Sequence, residues 1–100
     1  RLQREQMGKI VEIQLSRLDK LLLDRKITLE LDELAKSWLA DKGYDPVYGA
    51  RPLKRVIQRY LQNPLSMQIL DGSINDGDTV PVSAEGGHLL LNGKKVELVD

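Results

Sequence analysis

Residues 43–53 read GYDPVYGARPL, and they separate two stretches of helical periodicity. The Asp-Pro pair near the start forces an extended residue followed by a fixed turn, and Gly49 permits backbone angles that other residues avoid. Pro52 suits the first turn of the next helix, where proline is best tolerated. The segment therefore predicts a loop between two helices, with Arg51 at the entrance of the second helix.

The sequence upstream of this loop predicts a helix, a strand and a second helix. Apolar residues recur at helical spacing between residues 4 and 23, alternate over residues 27–31, and return to helical spacing before Gly43. Asp32 stands where a helix N-cap belongs, and Gly43 is expected to end the second helix in the left-handed conformation. Gln14 interrupts the first apolar stripe, so it lies either at the solvent-exposed end of that stripe or beside a cleft.

Helical spacing resumes at Leu53 and continues to Gly72, with Pro64 in its interior. Proline removes one backbone donor and clashes with the preceding turn, so we expect it to break or kink this helix. The residues after Gly72 predict β structure instead. The first strand covers residues 79–84, and Pro81 within it indicates an edge position in the sheet.

Two pairs of turn residues, Gly86-Gly87 and Asn92-Gly93, each predict a tight hairpin. They lie on either side of residues 89–91, and residues 96–99 follow the second turn. The order of elements is helix, strand, helix, loop, helix and strands, which is typical of a small α/β domain. We expect about three to four helices and a small mixed or antiparallel sheet of three to four short strands. Residues 1–100 are expected to form a single domain.

Composition limits the classes of function. The chain has 100 residues, of which 41% are hydrophobic, and its 15 basic residues balance its 15 acidic ones. Such neutrality argues against a nucleic-acid partner or a membrane surface. The absence of cysteine excludes disulfides and thiolate metal sites. No apolar run approaches the roughly 20 residues of a membrane span. Because the chain begins at Arg1 with no initiator Met, signal-peptide or transit pattern, we expect a piece of a longer protein, with any address signal outside these residues.

Motifs for catalysis are missing from the sequence. It contains neither the phosphate-binding pattern GxxxxGK[ST] nor the metal-binding pattern HExxH. The single histidine, His88, lies beside a predicted turn, where it is either a lone ligand or base or simply a solvated residue. Serine-based catalysis lacks a supporting histidine and acid. We therefore expect no catalytic residue and no bound metal, and hence no enzyme activity in this chain alone.

Arg51 is the residue best suited to bind a ligand. A helix entrance carries partial positive charge, and a guanidinium there can grip a phosphate oxygen with two parallel donors. The small residues Gly49 and Ala50 leave room for a ligand or a neighbouring domain. This pattern favours the sensing of an anion. The alternative is that Arg51 pairs with a local carboxylate such as Asp45.

Basic side chains extend along the helix that follows. Arg51, just before helix 52–62, and Lys54, Arg55 and Arg59 within it fall at helical spacing along one face. Three interpretations remain open for this face: an electrostatic seam against a neighbouring subunit or domain, a solvated surface, or contact with nucleic-acid phosphates. The last is disfavoured because the chain is neutral and the basic residues are not interleaved with aromatic ones.

A family resemblance adds to these observations. Residues 43–58, GYDPVYGARPLKRVIQ, resemble the sensor-2 region of the second ATPase module in ClpB-type AAA+ disaggregases. Residues 10–18, IVEIQLSRL, resemble the first helix of the small domain in the same family. The likeness runs through about residue 80. Residues 83–100 show no clear family pattern and are expected to form a family-divergent hairpin extension.

This resemblance implies specific roles. The chain is expected to be the C-terminal small lid domain of the second module, with Arg51 reaching the phosphates of ATP or ADP held mainly by a large domain outside it. Gly49 and Ala50 then shape the approach to the nucleotide. Ile10 and Val11 match the positions that line the adenine pocket, although an apolar core role explains them equally well.

The implied partners are the large ATPase domain, the neighbouring subunits of a homohexamer, and unfolded or aggregated polypeptides. The implied compartment is the cytoplasm or an organelle matrix, either mitochondrial or plastid. The alternative function is a stand-alone protein-interaction module that docks through helix 52–62. Walker motifs encoded upstream of the chain would distinguish the lid from this alternative.

Overall fold

The structure, a computed structural model, describes residues 3–96. The predicted α/β class is confirmed, with helices packed on one small sheet. The helical segments are α1 (Met7–Leu22), α2 (Glu33–Gly43), α3 (Leu53–Ile57) and α4 (Asn63–Leu70), with single 3₁₀ turns at Arg4–Gln6 and Leu23–Arg25 on either side of α1. The strands are β1 (Thr28–Leu31), β2 (Thr79–Glu85), β3 (His88–Leu91) and β4 (Lys94–Lys95). Within residues 3–96, no helix is both long enough and apolar enough to cross a membrane.

The sheet is mixed, as predicted, and its strand order is β1-β2-β3-β4. β1 pairs with β2 in parallel, whereas β2–β3 and β3–β4 are antiparallel hairpins. Both central residues of each hairpin turn have positive φ, at 59° and 81° for Gly86-Gly87 and at 56° and 79° for Asn92-Gly93. These are the angles of type I′ turns, so both predicted hairpins are confirmed. The strand expected over residues 96–99 begins earlier, at Lys94, and residues 97–100 lie outside the described part of the chain.

Pro81 lies in an interior strand, so the edge position predicted for it is wrong. β2 is bordered by β1 on one side and β3 on the other. In a strand, the nitrogen and oxygen of one residue point to the same side, and the Pro81 carbonyl accepts from the Asn92 N–H at 2.8 Å on the β3 side. The β2–β3 ladder ends one residue away, at the pair Val82–Leu91. The missing N–H of Pro81 therefore faces β3 just past the end of this ladder, and it does not interrupt the pairing of β2 with β1.

Pro64 does not end the helix that contains it. Residues 58–62 form a π turn between α3 and α4, and the backbone stays right-handed helical at Gln58, Gln62 and Asn63. The Asn63 N–H donates to the Gln58 carbonyl, five residues earlier. In a regular α-helix, the ring of a proline at position 64 would clash with the carbonyl of Tyr60. Tyr60 lies within the π turn, where the helix is wider. α3, the π turn and α4 thus form one continuous helix, called helix 53–70 below.

One hydrophobic core joins the three helices to the sheet. Its buried side chains come from α1, α2, helix 53–70 and the strands, and include Leu89 and Leu91 of β3, which are at most 1% exposed. The core residues are Met7, Val11, Leu15, Leu18, Leu22, Ile27, Leu29, Ala35, Leu39, Ala40, Leu53, Ile57, Leu61, Leu65, Ile74, Val80, Val82, Leu89, Leu91 and Val96. The hairpin after residue 82 is therefore packed into the core, while its divergence from the family stays a prediction.

Asp32 caps α2 and also ties it to the sheet. One carboxylate oxygen accepts from the Ala35 N–H at 2.8 Å, which confirms the predicted N-cap, and the other accepts from the Ser83 hydroxyl at 2.6 Å. The bond from Ser83, followed by that from Ala35, lowers the pKa of the Asp32 carboxyl below its ordinary value. The same side chain therefore orients the helix and fixes its distance from β2.

Gly43 is the last residue of α2, but it does not have the conformation predicted for it. It does not have positive φ, so the left-handed cap expected from the sequence is wrong. Instead, a Cβ added to Gly43 would lie 2.5 Å from Cδ1 and 2.9 Å from Cα of Leu53. Only glycine lets the end of α2 approach the start of helix 53–70 this closely.

We expect Gly43→Ala to lower the free energy of unfolding by about 1–3 kcal/mol, the usual cost of overpacking, because the backbone of Leu53 has to move. Urea denaturation of the two proteins measures this difference. Gly8→Ala is the matched control, since an added Cβ there meets nothing within 4 Å. The control should leave stability unchanged or raise it by up to about 1 kcal/mol. Equal midpoints for wild type and Gly43→Ala would contradict the packing argument.

Candidate functional site

The loop between α2 and helix 53–70 is held closed by its own hydrogen bonds. The backbones of Asp45 and Gly49 exchange two bonds, with the Asp45 N–H donating at 2.8 Å and the Gly49 N–H donating at 2.7 Å. The Asp45 carboxylate accepts from the backbone N–H groups of Val47 and Tyr48, at 2.7 and 2.9 Å. This side chain therefore folds the loop over itself, as aspartates in turns commonly do.

Gly49 and Ala50 connect the closed loop to the helix. Gly49 has φ of 66°, which confirms the expectation that glycine is needed there. Ala50 is half-buried against the core, and its carbonyl accepts from the Leu53 N–H at 3.0 Å, which starts the helix. Pro52, with φ −70° and ψ −17°, immediately precedes the first helical residue. The backbone between Gly49 and Leu53 is therefore fixed at both ends.

The guanidinium of Arg51 lies over the ring of Tyr48. The distance from Arg51 Cζ to the ring centroid is 4.8 Å, which is a cation–π contact. The Arg51 N–H of the backbone donates to the Tyr48 carbonyl at 3.3 Å, so the two residues face each other across a turn. Both side chains are exposed. The alternative partner considered from the sequence, Asp45, instead binds backbone N–H groups of the loop.

The two residues matched to an adenine pocket differ in accessibility. Val11 is 0% exposed and belongs to the core, whereas Ile10 is only partly buried against it. Of these two residues, therefore, only Ile10 is accessible enough to contact a ligand directly. Val11 supports the same stretch of α1 from beneath.

A cleft of about 250 Å³ lies between α1 and helix 53–70. Its walls include Leu18 and Ile57 at the base and Gln14 and Lys54 at the rim. Of the two interpretations of Gln14, the structure supports the cleft. Gln14 lines this groove, while its neighbours Val11 and Leu15 on α1 are buried in the core.

The basic face contains four exposed side chains on or next to helix 53–70, namely Arg51, Lys54, Arg55 and Arg59. No acidic residue occurs anywhere between positions 46 and 70. At the π turn, two of these arginines join three amide side chains around an open groove of about 480 Å³ lined by Arg55, Gln58, Arg59, Gln62 and Asn63. Nothing in the sequence pattern predicted this groove, because it depends on the π turn.

Other candidate chemistry is not gathered into a site. Across residues 3–96, no cluster of three histidine, cysteine or acidic side chains is arranged to hold a metal ion. His88 is exposed at the start of β3, next to the first hairpin turn. The loop around Arg51 and the basic face beyond it are therefore the features that distinguish this domain.

Comparison with known proteins bears directly on these features. Residues 2–82 match the family described as the C-terminal, D2-small domain of ClpB protein. The chain belongs to this ClpB domain family. The match includes α1, the whole loop, helix 53–70 and the first half of β2, and it ends at residue 82, next to the boundary expected at residue 83.

Several bacterial ClpB chaperones align with nearly the whole chain. The chaperone protein ClpB of Rhodopseudomonas palustris is 65% identical over 94 residues, which is 94% of this chain and 11% of that protein. The ClpB of Agrobacterium fabrum is 63% identical over 94 residues, also 94% and 11%, and that of Gloeobacter violaceus is 56% identical over 84 residues, or 84% and 10%. The chain thus spans about a tenth of the length of these ClpB relatives.

The structure also shows a contact of Arg51 that sequence reasoning missed. The resemblance singled out Gly49, Ala50 and Arg51, and the structure brings these three together at the helix entrance. Tyr48 was not identified as a functional residue. Its signal was the spacing of an aromatic residue three positions before an arginine across a predicted turn.

We expect Gly49→Ala to lower the free energy of unfolding by about 1–2 kcal/mol, because alanine resists the left-handed conformation. Gly49→Asn should cost less, since asparagine tolerates this conformation. Urea denaturation of the three proteins measures both effects. If alanine and asparagine were equally tolerated, positive φ would not be the constraint at this position.

Proposed function

We propose that this domain is the C-terminal lid of an ATP-dependent protein disaggregase of the ClpB type. In this proposal Arg51 is the sensor-2 residue and contacts the phosphates of ATP or ADP bound mainly by a large domain of the same protein. The observation that carries the proposal is an exposed guanidinium at a helix entrance that lies over an aromatic ring and forms no ion pair with a carboxylate of residues 3–96.

The residues around Arg51 fit a nucleotide phosphate. The Arg51 guanidinium lies over the Tyr48 ring, with Cζ 4.8 Å from the ring centroid, and it keeps its positive charge for phosphate oxygens. Gly49 and Ala50 present no bulky side chain beside it. The partly exposed Ile10 is the residue of α1 that we propose for contact with the adenine ring, with Val11 holding it from the core. The triphosphate cradle itself has to come from the large domain, because its motif is absent from this sequence.

The fold supports a role as a rigid lid. α2 and helix 53–70 meet at the Gly43–Leu53 contact, and Leu53 is buried in the core. In this proposal, the loop that carries Arg51 therefore moves together with the core. A nucleotide that bridges two domains sets the angle between them, and hydrolysis changes that angle. We propose that the lid passes this change to neighbouring subunits of a homohexamer, which acts on unfolded or aggregated polypeptides. The bacterial relatives favour the cytoplasm as its compartment.

Arg51→Ala in the full-length protein should weaken ADP binding by about 10-fold or more, because a charge-assisted hydrogen bond is lost. The ADP affinity of Arg51→Lys should lie between those of the wild type and Arg51→Ala, since lysine keeps the charge but not the planar pair of donors. Titration calorimetry measures the affinity, and thermal unfolding checks that the exposed substitution leaves the fold intact. Wild-type affinity and ATP turnover in Arg51→Ala would remove this residue from the mechanism.

The basic face has a separate proposed role as a docking surface for an acidic surface of a neighbouring subunit. The observation that favours it is charge segregation: four basic residues and no acidic ones lie between positions 46 and 70 of a chain that is neutral overall. Exposed charges of this kind steer association and fix register more than they add affinity. Contact with an acidic partner also explains why arginines and amides line the groove at the π turn.

Arg55→Glu in the full-length protein should weaken assembly roughly 10-fold at low salt, because it places like charges in contact, and the difference should shrink as salt screens them. Sedimentation velocity at several protein concentrations measures assembly. Lys20→Glu, the same charge reversal at an exposed position on α1, is the control and should assemble normally. Equal assembly of the two variants would remove the basic face from the interface.

A further inference from the structure

The position of Tyr48 is fixed by the loop and not by burial. The side chain is 59% exposed, so the core does not hold it. Its backbone N–H donates to the Asp45 carboxylate at 2.9 Å, and its carbonyl accepts from the Arg51 N–H at 3.3 Å. The two bonds between Asp45 and Gly49 close the backbone on either side of it. An exposed aromatic ring is thus presented at a defined place beside Arg51.

We propose that Tyr48 is a positioning residue for Arg51, and that its ring holds the guanidinium in the orientation that receives a nucleotide phosphate. This inference rests on the function proposed for Arg51. It goes beyond it by assigning the orientation of the guanidinium to the ring face of a second residue.

The geometry explains why a ring is suited to this task. An exposed arginine has a long side chain with many rotamers, and ordering it on binding opposes the gain from the contact. A carboxylate partner would order the guanidinium but would occupy the N–H donors needed for phosphate. The Tyr48 ring attracts the cation through its face, with Cζ 4.8 Å from the ring centroid, and unlike a carboxylate it does not neutralise the charge that a phosphate needs.

The hydroxyl group of Tyr48 is not needed in this arrangement, because the contact is made by the ring. Phenylalanine should therefore replace it, whereas alanine should not. Val47 provides a matched control: it lies on the same loop, is 68% exposed and also donates its backbone N–H to Asp45. Its side chain has no part in holding Arg51.

The test is a double-mutant cycle in the full-length protein, with ADP affinity measured by titration calorimetry and ATP turnover measured in parallel. Tyr48→Ala should weaken ADP binding about 2- to 5-fold, the ratio expected for an exposed cation–π contact. Tyr48→Phe and Val47→Ala should bind ADP like wild type. In an Arg51→Ala background, Tyr48→Ala should cause no further loss, because the ring then has no guanidinium to hold.

Each outcome bears on one proposal. If Arg51→Ala weakens binding while Tyr48→Ala binds like wild type, or weakens binding equally in both backgrounds, the role of Tyr48 is refuted and that of Arg51 stands. If Tyr48→Phe fails to rescue, the ring face is not the active feature and the inference is overturned. If Arg51→Ala itself binds ADP normally, the proposed function fails. Thermal unfolding of every variant checks that the exposed substitutions leave the domain folded.

Discussion

The close approach of Gly43 to Leu53 is the constraint on which the candidate site depends. A Cβ at position 43 would lie only 2.9 Å from the Leu53 backbone, so the two ends of the intervening loop are pinned together. Inside this base, Asp45 and Gly49 close a second, smaller ring of backbone. The loop therefore has little freedom left, although Pro46, Val47, Tyr48 and Arg51 are exposed. Arg51 stands on this rigid frame, which is what a residue that reports on a bound ligand requires.

Local features of the fold could be predicted from the sequence because a few neighbouring residues determine them. Asn92-Gly93 and Gly86-Gly87 adopt the type I′ turns that only such residues favour, and Asp32 caps α2 through its own side chain. Each of these depends on interactions within about four residues. The mixed sheet followed from the order of the elements and their hairpin turns.

The mistaken predictions all depended on partners distant in the sequence or on register. Gly43 appeared to be a left-handed cap, but its role comes from a residue on the next helix. Pro81 appeared to lie on an edge strand, but the ladder beside it ends one residue away. Pro64 was expected to break or kink its helix, which is not broken but widens by a π turn. For the candidate site, Arg51 was identified from its place at a predicted helix entrance and again by resemblance, whereas its contact with the Tyr48 ring depends on the folded turn.

The only tryptophan of the chain occupies a position with practical value for later work. Trp38 of α2 donates its indole N–H to the Gly87 carbonyl at 3.0 Å and packs edge-on against Tyr60 of helix 53–70, with ring centroids 4.9 Å apart. A single fluorophore therefore touches α2, the first hairpin and the helix that follows the site. Separation of any of these elements changes its surroundings, so the intrinsic emission of the native chain reports the internal integrity of the domain without an added label.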